Sequence, residues 1–227
     1  MQAFSNPETV GAYKALDQET AYAAHTNEVT FNLVKKRLFD ISVSLLVSIT
    51  LLIWLIPLFG LLIKLTSRGP IIYVQTRSGR RGKTFNCLKF RTMSYDVNAE
   101  FRQATSNDKR ITRVGRFLRR TNLDELPQFL NVLVGHMSVV GPRPHPLPLD
   151  SKYWVAIPGY KDRYTVKPGI TGLAQARGAR GETDELYKMV HRVRYDHLYI
   201  RRKSLRLDAM ICWWTVQSAM RGNKGAW

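Results

Sequence analysis

The chain has 227 residues, of which 44% are hydrophobic and 23% carry a charge. This composition is typical of a globular domain with its own core and excludes wholesale disorder. Lys and Arg number 35 against 17 Asp and Glu, which gives a formal net charge of +18. Such an excess predicts an anionic partner, namely nucleic acid, membrane headgroups or a phosphorylated substrate. Cys87 and Cys212 form no CxxC motif, which favours reduced thiols over a disulfide or zinc site.

The first segment, residues 1–30, differs from the rest in charge. It holds one Lys and four Asp or Glu residues and has no sustained hydrophobic periodicity. We therefore expect an N-terminal arm, either loose or formed of short helices, ahead of a basic domain.

An uncharged apolar run follows at residues 41–63. As a straight helix, 23 residues would measure about 35 Å, against roughly 30 Å for the hydrocarbon core of a bilayer. The run is too long for a signal peptide and starts too far into the chain, and a buried helix of a soluble protein is the minor alternative. The sequence therefore predicts a membrane helix over residues 31–65.

How this helix meets the membrane stays open at the level of the residues. Basic residues flank the run on both sides, so the positive-inside rule does not select a crossing direction. Pro57 removes a backbone donor past the middle of the run, and Gly60 follows. A re-entrant helix that breaks at Pro57 and returns to the same face is one interpretation. A kinked spanning helix is the other.

The remaining residues, 66–227, predict a mostly α fold with a small β-hairpin (α+β). Residues 70–74 and 84–90 are β-prone runs on either side of a basic turn at 79–82. Helical spacing of apolar residues predicts helices over 109–121, 126–135, 186–200 and 205–220. Trp213 and Trp214 follow basic residues, an arrangement that suits either a helix at the membrane interface or a core.

Adjacent carboxylates, Asp124 and Glu125, stand just before one predicted helix and after Arg119. A helix N-terminus favours anions, and a carboxylate there can bind a divalent cation or attack phosphorus while its neighbour tunes it. The alternative is structural: the carboxylates cap the helix, with Thr121 and Asp124 forming a capping box. Residue propensity alone favours the cap.

Three other basic residues are candidates for binding phosphate. Arg143 lies between two prolines, which limit its backbone freedom and present a planar guanidinium; a rigid surface turn is the alternative. Lys89 and Arg91 stand at the end of a β-prone run. In the arginine-rich helix at 109–121, we expect at most one or two arginines to reach a site. No GxGxxG, Walker, HExxH or GxSxG motif is present.

Five motifs in a fixed order carry a family resemblance. They are residues 36–40 (KRLFD), 88–93 (LKFRTM), 123–128 (LDELPQ), 141–144 (GPRP) and 167–175 (KPGITGLAQ). Together they resemble the bacterial sugar transferases, the monotopic phosphoglycosyl transferases that start glycan assembly on a polyprenyl carrier. The resemblance covers residues 32–220.

The resemblance implies an activity and a set of roles. Members transfer a sugar 1-phosphate from a UDP-sugar to polyprenyl phosphate such as undecaprenyl phosphate, release UMP, and form a covalent aspartyl intermediate with Mg²⁺. It implies that Asp124 is the nucleophile and a Mg²⁺ ligand, with Glu125 as its partner. The residues implied to hold or approach phosphate are Arg119, Arg143, Lys89 and Arg91.

The resemblance also implies a location and a donor. The family's re-entrant helix breaks at a Pro that a Ser often precedes, whereas here Ile56 precedes Pro57. We expect residues 66–227 to form a catalytic domain on the cytoplasmic face of the bacterial inner membrane, in contact with membrane lipids. Segments 177–184 and 195–200 resemble the hexose branch, so UDP-glucose is the expected donor and UDP-galactose or another UDP-sugar the alternative.

The expected role is the first membrane step in the synthesis of an exopolysaccharide or other surface glycan. Nucleic acid is not an expected partner, because no recognition motif accompanies the charge. A non-catalytic, basic, membrane-bound binding protein is the rival function. The sequence leaves a homo-oligomer open.

Overall fold

A computed structural model gives the fold. It describes residues 33–96, 102–105, 108–179, 181 and 185–221. The predicted arm at residues 1–30 lies outside this part of the chain. The fold is mostly helical with two small sheets, which confirms the predicted class.

Eight helices and four short strands follow one another along the described part of the chain. The helices are α1 (Leu33–Val47), α2 (Ile53–Thr66), α3 (Arg113–Thr121), α4 (Gln128–Leu133), α5 (Leu147–Ala156), α6 (Leu173–Ala176), α7 (Leu186–Arg202) and α8 (Leu205–Met220). The strands are β1 (Ile72–Ser78), β2 (Thr84–Phe90), β3 (Ser138–Val140) and β4 (Gly169–Thr171). Short 3₁₀ turns lie at Arg80–Gly82, Leu123–Glu125 and Tyr160–Thr165.

The apolar run forms one helical segment of 34 residues, Leu33–Thr66. Among the described residues it is the one helix long and apolar enough to cross a membrane, and only 22% of its most apolar window is buried within the protein. A core helix of a soluble protein would be mostly buried, so that alternative does not fit.

This segment departs from α geometry in its middle. A π-helical turn, Ser48–Leu52, separates α1 from α2, and Pro57 lies inside α2. The helix is therefore not interrupted at Pro57, where one interpretation of the sequence places a break, and its departure from α geometry lies in the turn before the proline. The physical reason is that the Pro ring crowds the carbonyl four residues earlier and supplies no N–H to it, so the helix adjusts in the turn before the proline.

The N-terminal end of the segment is fixed to the globular part by an ionic network. Lys36 Nζ lies 3.1 Å from Asp40 Oδ1 and 2.9 Å from Asp208 Oδ2 on α8. Asp40 Oδ1 accepts hydrogen bonds of 3.0 Å from Ser138 Oγ and from the backbone N–H of Val139. The KRLFD motif thereby anchors α1 to β3 and α8.

The C-terminal end is fixed to the same body by different contacts. Arg91 Nη2 and Nη1 donate to the carbonyls of Ser67 and Arg68 at 2.7 and 2.5 Å. The rings of Phe59 and Phe90 meet edge to face, with centroids 5.7 Å apart, and Ile63 is buried in the same cluster. Both ends of the apolar segment therefore bind one globular domain.

The predicted hairpin is confirmed. Strands β1 and β2 pair antiparallel, with Ile72 opposite Phe90 and Ser78 opposite Thr84. Phe85 and Cys87 of β2 point into the main core. The hairpin delivers Lys89, near the end of β2, to the centre of the molecule.

A second sheet, which the sequence does not predict, joins the two Pro-rich motifs. Strands β3 and β4 pair in parallel. Gly141 N–H donates to Thr171 O and Gly169 N–H donates to Pro142 O, both at 2.9 Å. A Cβ on Gly141 would collide with the carbonyl of Lys167, so the two segments pack too closely for a side chain there. This contact fixes the loop that carries Arg143.

Two helix predictions need small corrections, and the two tryptophans of α8 differ in their surroundings. Helix α3 begins at Arg113, because Ile111 forms a bridge with Met93 and Thr112 caps the helix by accepting from Gly115 N–H at 2.9 Å. The helix predicted from residue 126 begins at Gln128. On α8, Trp214 packs against the core under the guanidinium of Arg177, which fits the core alternative. Trp213 is 64% exposed, and its place at a membrane interface stays a prediction.

Candidate active site

The two adjacent carboxylates lie on the 3₁₀ turn between α3 and α4. Asn122 takes a left-handed conformation (φ 56°) that ends α3 and starts this turn. Thr121 Oγ1 donates back to Phe117 O at 2.9 Å, and neither the turn nor α4 has a side-chain cap. The predicted capping box of Thr121 and Asp124 is therefore wrong, and the two carboxylates do not cap a helix.

Glu125 is fully engaged by two cations. Lys89 Nζ lies 2.6 Å from its Oε1. Arg143 binds both carboxylate oxygens, Nη1 to Oε2 at 3.0 Å and Nη2 to Oε1. Burial alone would raise the pKa of Glu125, but the charges and hydrogen bonds of Arg143 and Lys89 outweigh it and hold that pKa well below its usual value. Glu125 is thus a permanent anion in the site.

Asp124 is almost as buried but much less engaged. It is 8% exposed, and its one ionic contact among the described residues is Lys89 Nζ at 3.9 Å. Burial raises the pKa of Asp124 despite the attraction of Lys89, and the charge of Glu125 adds to the rise. A buried carboxylate with few bonded partners, surrounded by basic residues, is suited to attack an electrophile or bind a metal ion.

The position of Lys89 depends on the strand edge beside it. Asn131 on α4 accepts from Leu88 N–H at 2.9 Å and donates to Asn86 O at 2.8 Å. This amide continues the hydrogen bonding of β2 and keeps Lys89 in register with the dyad. Burial lowers the pKa of the Lys89 amine, although Glu125 opposes the shift.

Arg119 and Arg91 are both predicted to lie near phosphate, and in the structure their side chains bind different partners. Arg119 Nε donates to Thr92 Oγ1 at 2.9 Å, and its guanidinium lines the cavity beside the dyad. Arg91 also borders the cavity, but its guanidinium is bound to the carbonyls at the end of α2. Arg91 holds the apolar helix, and we do not assign it to phosphate.

A cavity of about 850 Å³ opens on these residues. Eight Lys or Arg residues border it against three Asp or Glu residues, so it suits a ligand with several negative charges. Of the arginines in 109–121, Arg110 and Arg119 border the cavity, in line with the expectation of one or two.

A buried polar network that the sequence does not predict supports the Arg143 loop. Arg163, 2% exposed, donates from Nη2 to Arg143 O and to Asp196 Oδ2, both at 2.8 Å. Its Nη1 lies 2.6 Å from His145 Nδ1, and His145 also bonds Tyr160 Oη at 2.7 Å. No spacing signal marks these residues, because they come from three separate segments.

Among the residues that the structure describes, no group of three His, Cys, Asp or Glu side chains could hold a metal ion by itself. Mg²⁺ is commonly bound by one or two carboxylates, with water and substrate phosphates completing its shell. Asp124 offers such a carboxylate, whereas the oxygens of Glu125 are taken. The residues fit a magnesium site that the substrate completes.

The fold and the site together define a class: a helical domain with an attached apolar helix and a buried carboxylate beside a basic cavity. The family model for bacterial sugar transferases matches residues 31–222. The chain belongs to this family. Its apolar helix and its family indicate that it is associated with a membrane.

Curated relatives are similar over most of the chain. UDP-glucose:undecaprenyl-phosphate glucose-1-phosphate transferases of Klebsiella pneumoniae and Escherichia coli K12 are 53% and 50% identical over 186 residues, 82% of this chain and 40% of each relative. The exopolysaccharide production protein PSS of Rhizobium leguminosarum bv. phaseoli is 45% identical over 199 residues, 86% of this chain and 99% of the relative. The chain thus spans two-fifths of the first two relatives and nearly all of the third.

Proposed function

We propose that this chain is a phosphoglycosyl transferase that moves hexose 1-phosphate from a UDP-sugar to undecaprenyl phosphate and releases UMP. The observation that carries the proposal is the contrast within the dyad, where Glu125 is paired twice and Asp124 faces a basic cavity with its oxygens available. The names of the relatives support glucose as the sugar and undecaprenyl phosphate as the acceptor. The product would begin an exopolysaccharide or related glycan.

The reaction would proceed in two displacements. An Asp124 oxygen attacks the phosphorus that bears the sugar, the new O–P bond forms, and the bond to the bridging oxygen breaks so that UMP leaves. The phosphate oxygen of undecaprenyl phosphate then attacks the same phosphorus and releases Asp124. Glu125 keeps Lys89 and Arg143 in place, and its negative charge maintains the basicity of Asp124.

Arg119 and Arg143 would stabilise the charge on the transferring phosphoryl group. The Arg143 side chain keeps 27% of its surface exposed while it binds Glu125, so one face of the guanidinium is open to a phosphate. Within the described part of the chain, Arg119 makes one side-chain hydrogen bond, from Nε to Thr92, and its terminal nitrogens are left for the same group. Planar, bidentate donors of this kind suit phosphoryl oxygens.

Mg²⁺ is part of the proposal, with Asp124 as the protein ligand. When bound, it would neutralise the diphosphate charge that repels an attacking carboxylate. The protein residues would still supply the orientation: Lys89 and Arg143 hold the neighbouring carboxylate, and the short turn at 123–125 holds Asp124 against the cavity.

The apolar segment would enter the membrane and return to the face it came from. Because Lys36 and Asp40 at one end and Arg91 at the other bind the same domain, a spanning helix would separate contacts that the fold makes together. A cytoplasmic face follows from the basic flanks and surface, which favour the anionic leaflet. This arrangement would bring the cavity to the level of the lipid phosphate.

Substitution of Asp124 by Asn tests the function. With undecaprenyl phosphate and Mg²⁺, we expect the intact protein to release UMP from UDP-glucose, and Asp124→Asn to reduce kcat by about 10³-fold or more, because it removes a nucleophile. Glu185→Gln, an exposed acidic residue outside the cavity, is the matched control and should be unchanged.

Mass spectrometry of the stopped reaction should find a sugar-phosphate adduct on Asp124. Unaltered turnover in Asp124→Asn would disprove the nucleophile. No UMP from any member of a UDP-sugar panel would instead favour the rival function, a non-catalytic membrane-bound binding protein.

A further inference from the structure

Arg192 on α7 is a buried cation to which neither the dyad nor the resemblance gives a role. It is 6% exposed and borders the same cavity as Asp124. Arg194, two residues further on the same helix, points to solvent. The two arginines share an element and a charge and differ in burial, which makes one a test case and the other its control.

The guanidinium of Arg192 is poorly satisfied by the described part of the chain. Nη2 donates to Gly181 O at 3.2 Å, and Nε is buried with no hydrogen-bond partner. No carboxylate among the described residues lies within 4.0 Å of it. Asp196, one turn along α7, has its ion pair with Arg163.

The electrostatic surroundings make this position costly. Burial and, after it, the nearby charge of Arg143 lower the pKa of Arg192 to about 10, although Asp196 opposes the shift. A buried charge without a partner destabilises a fold, and a buried donor without an acceptor adds to that cost. A ligand that supplies the missing anion would explain why such a buried cation is present.

We propose that Arg192 binds an oxygen of a substrate phosphate and forms, on the cavity wall, an anion subsite separate from the Asp124–Glu125 pair. The inference rests on the proposed function, which brings phosphates into this cavity. Two sources share that chemistry: the nucleotide, through the phosphate that leaves as UMP, and the lipid phosphate of the acceptor.

Binding measurements on Arg192→Gln and Arg194→Gln test the subsite and identify its ligand. UDP binding is measured by calorimetry in detergent, and the KM for undecaprenyl phosphate by UMP release. A charge-assisted hydrogen bond is worth about tenfold to a hundredfold in affinity, so we expect Arg192→Gln to weaken one ligand by that factor. Arg194→Gln should change neither.

Each result assigns or rejects the subsite. Weaker UDP binding alone assigns it to the nucleotide, a raised lipid KM alone assigns it to the acceptor, and both together show that the two phosphates use it in turn. Equal values for the two variants, in a protein that turns over, overturn the subsite and leave the function intact. An intact protein that neither binds UDP nor releases UMP overturns the proposed function instead.

Thermal stability without ligand separates this role from a structural one. Because Arg192 is buried and no described carboxylate pairs with it, Arg192→Gln should melt at the same temperature as the intact protein or higher, and UDP or undecaprenyl phosphate should raise its Tm less. Arg192→Lys should recover part of the affinity. A lower Tm without ligand, together with no recovery by Lys, would mean that Arg192 supports the fold and would refute the subsite.

Discussion

At the scale of single residues, the dyad separates two neighbouring carboxyl groups by what each one binds. Glu125 takes both strong cation contacts, from Lys89 at 2.6 Å and from Arg143, while the one ionic contact of Asp124 with a described residue is that to Lys89 at 3.9 Å. Their pKa values move in opposite directions, Asp124 upward by burial and Glu125 downward by its ion pairs. Under the proposed function, Glu125 would serve as a fixed charge and Asp124 as the reacting group.

This difference predicts a pH effect. Asp124 must be ionised to attack, so kcat/KM should fall on acidification through a pKa above the usual 3.8. Glu125→Gln removes a negative neighbour and leaves Lys89 and Arg143 to act on Asp124. Both changes lower the pKa of Asp124, and the acid limb of the pH–rate profile should move to lower pH even though the rate itself drops.

The profile of kcat/KM against pH for Glu125→Gln measures this shift, with Glu185→Gln as a control whose limb stays in place. An acid limb that is unmoved, or that moves to higher pH, would contradict the assignment of the raised pKa to Asp124.

At the scale of elements, local patterns predicted most of the fold. The hairpin and α8 follow from residue runs that signal their own structure: β2 and α8 have the predicted bounds, and β1 starts two residues later and ends four residues later than predicted. The pairing of β3 with β4 could not be predicted, since two three-residue strands some thirty residues apart carry no periodic signal. This non-local pairing lies beneath the Arg143 loop. The sequence therefore predicts the candidate site but not the strand pairing that supports it.

The same reason explains what was missed in the site. Asp124 and Glu125 could be found because they are adjacent in sequence and belong to a motif. Arg163 and Arg192 are basic residues in helical or turn segments, where solvent exposure is the usual expectation. Only the folded arrangement shows that both are buried.

Helix α3 depends on one glycine for its approach to the hairpin. A Cβ on Gly115 would overlap the carbonyl of Thr92, and Thr92 also receives Arg119 Nε and Thr112 N–H. Gly115→Ala should lower the free energy of unfolding by about 1–3 kcal/mol through overpacking and reduce turnover by displacing Arg119.

Urea unfolding in detergent and UMP release measure these two effects. Arg116→Ala, the exposed neighbour, is the control and should cost a few tenths of a kcal/mol at most. A fully active and stable Gly115→Ala would show that α3 can move without affecting the site.

The topology of the apolar segment has a direct test. We expect Lys35→Cys and Arg68→Cys, in a Cys212→Ser background, to react with a membrane-impermeant maleimide from the same side of inside-out vesicles, because both flanks bind one domain. Cys87 is buried and should stay unreacted. Labelling from opposite sides would establish a spanning helix and refute the re-entrant topology.

At the scale of the whole molecule, one buried ion pair connects three distant segments. Arg163 joins the 3₁₀ turn at 160–165 to Asp196 on α7 and to the backbone of Arg143. Arg163→Met should lower the free energy of unfolding by about 3–5 kcal/mol, because Asp196 is left charged and unpaired in the interior.

Replacing both partners tests the origin of that loss. Arg163→Met with Asp196→Leu should recover much of the stability, since no lone charge remains, while turnover stays low because the Arg143 loop has lost its tether. Denaturant unfolding and steady-state kinetics measure the two quantities. Equal recovery of stability and turnover would show that the network does not position Arg143.

The end of strand β2 connects the apolar helix to the carboxylate dyad over a short distance. Lys89 touches the dyad, and Arg91, two residues on, grips the terminal carbonyls of α2. A tilt of that helix, forced by a thinner or thicker bilayer, would displace the chain only two residues from Lys89. The turnover rate would therefore vary with the thickness of the bilayer.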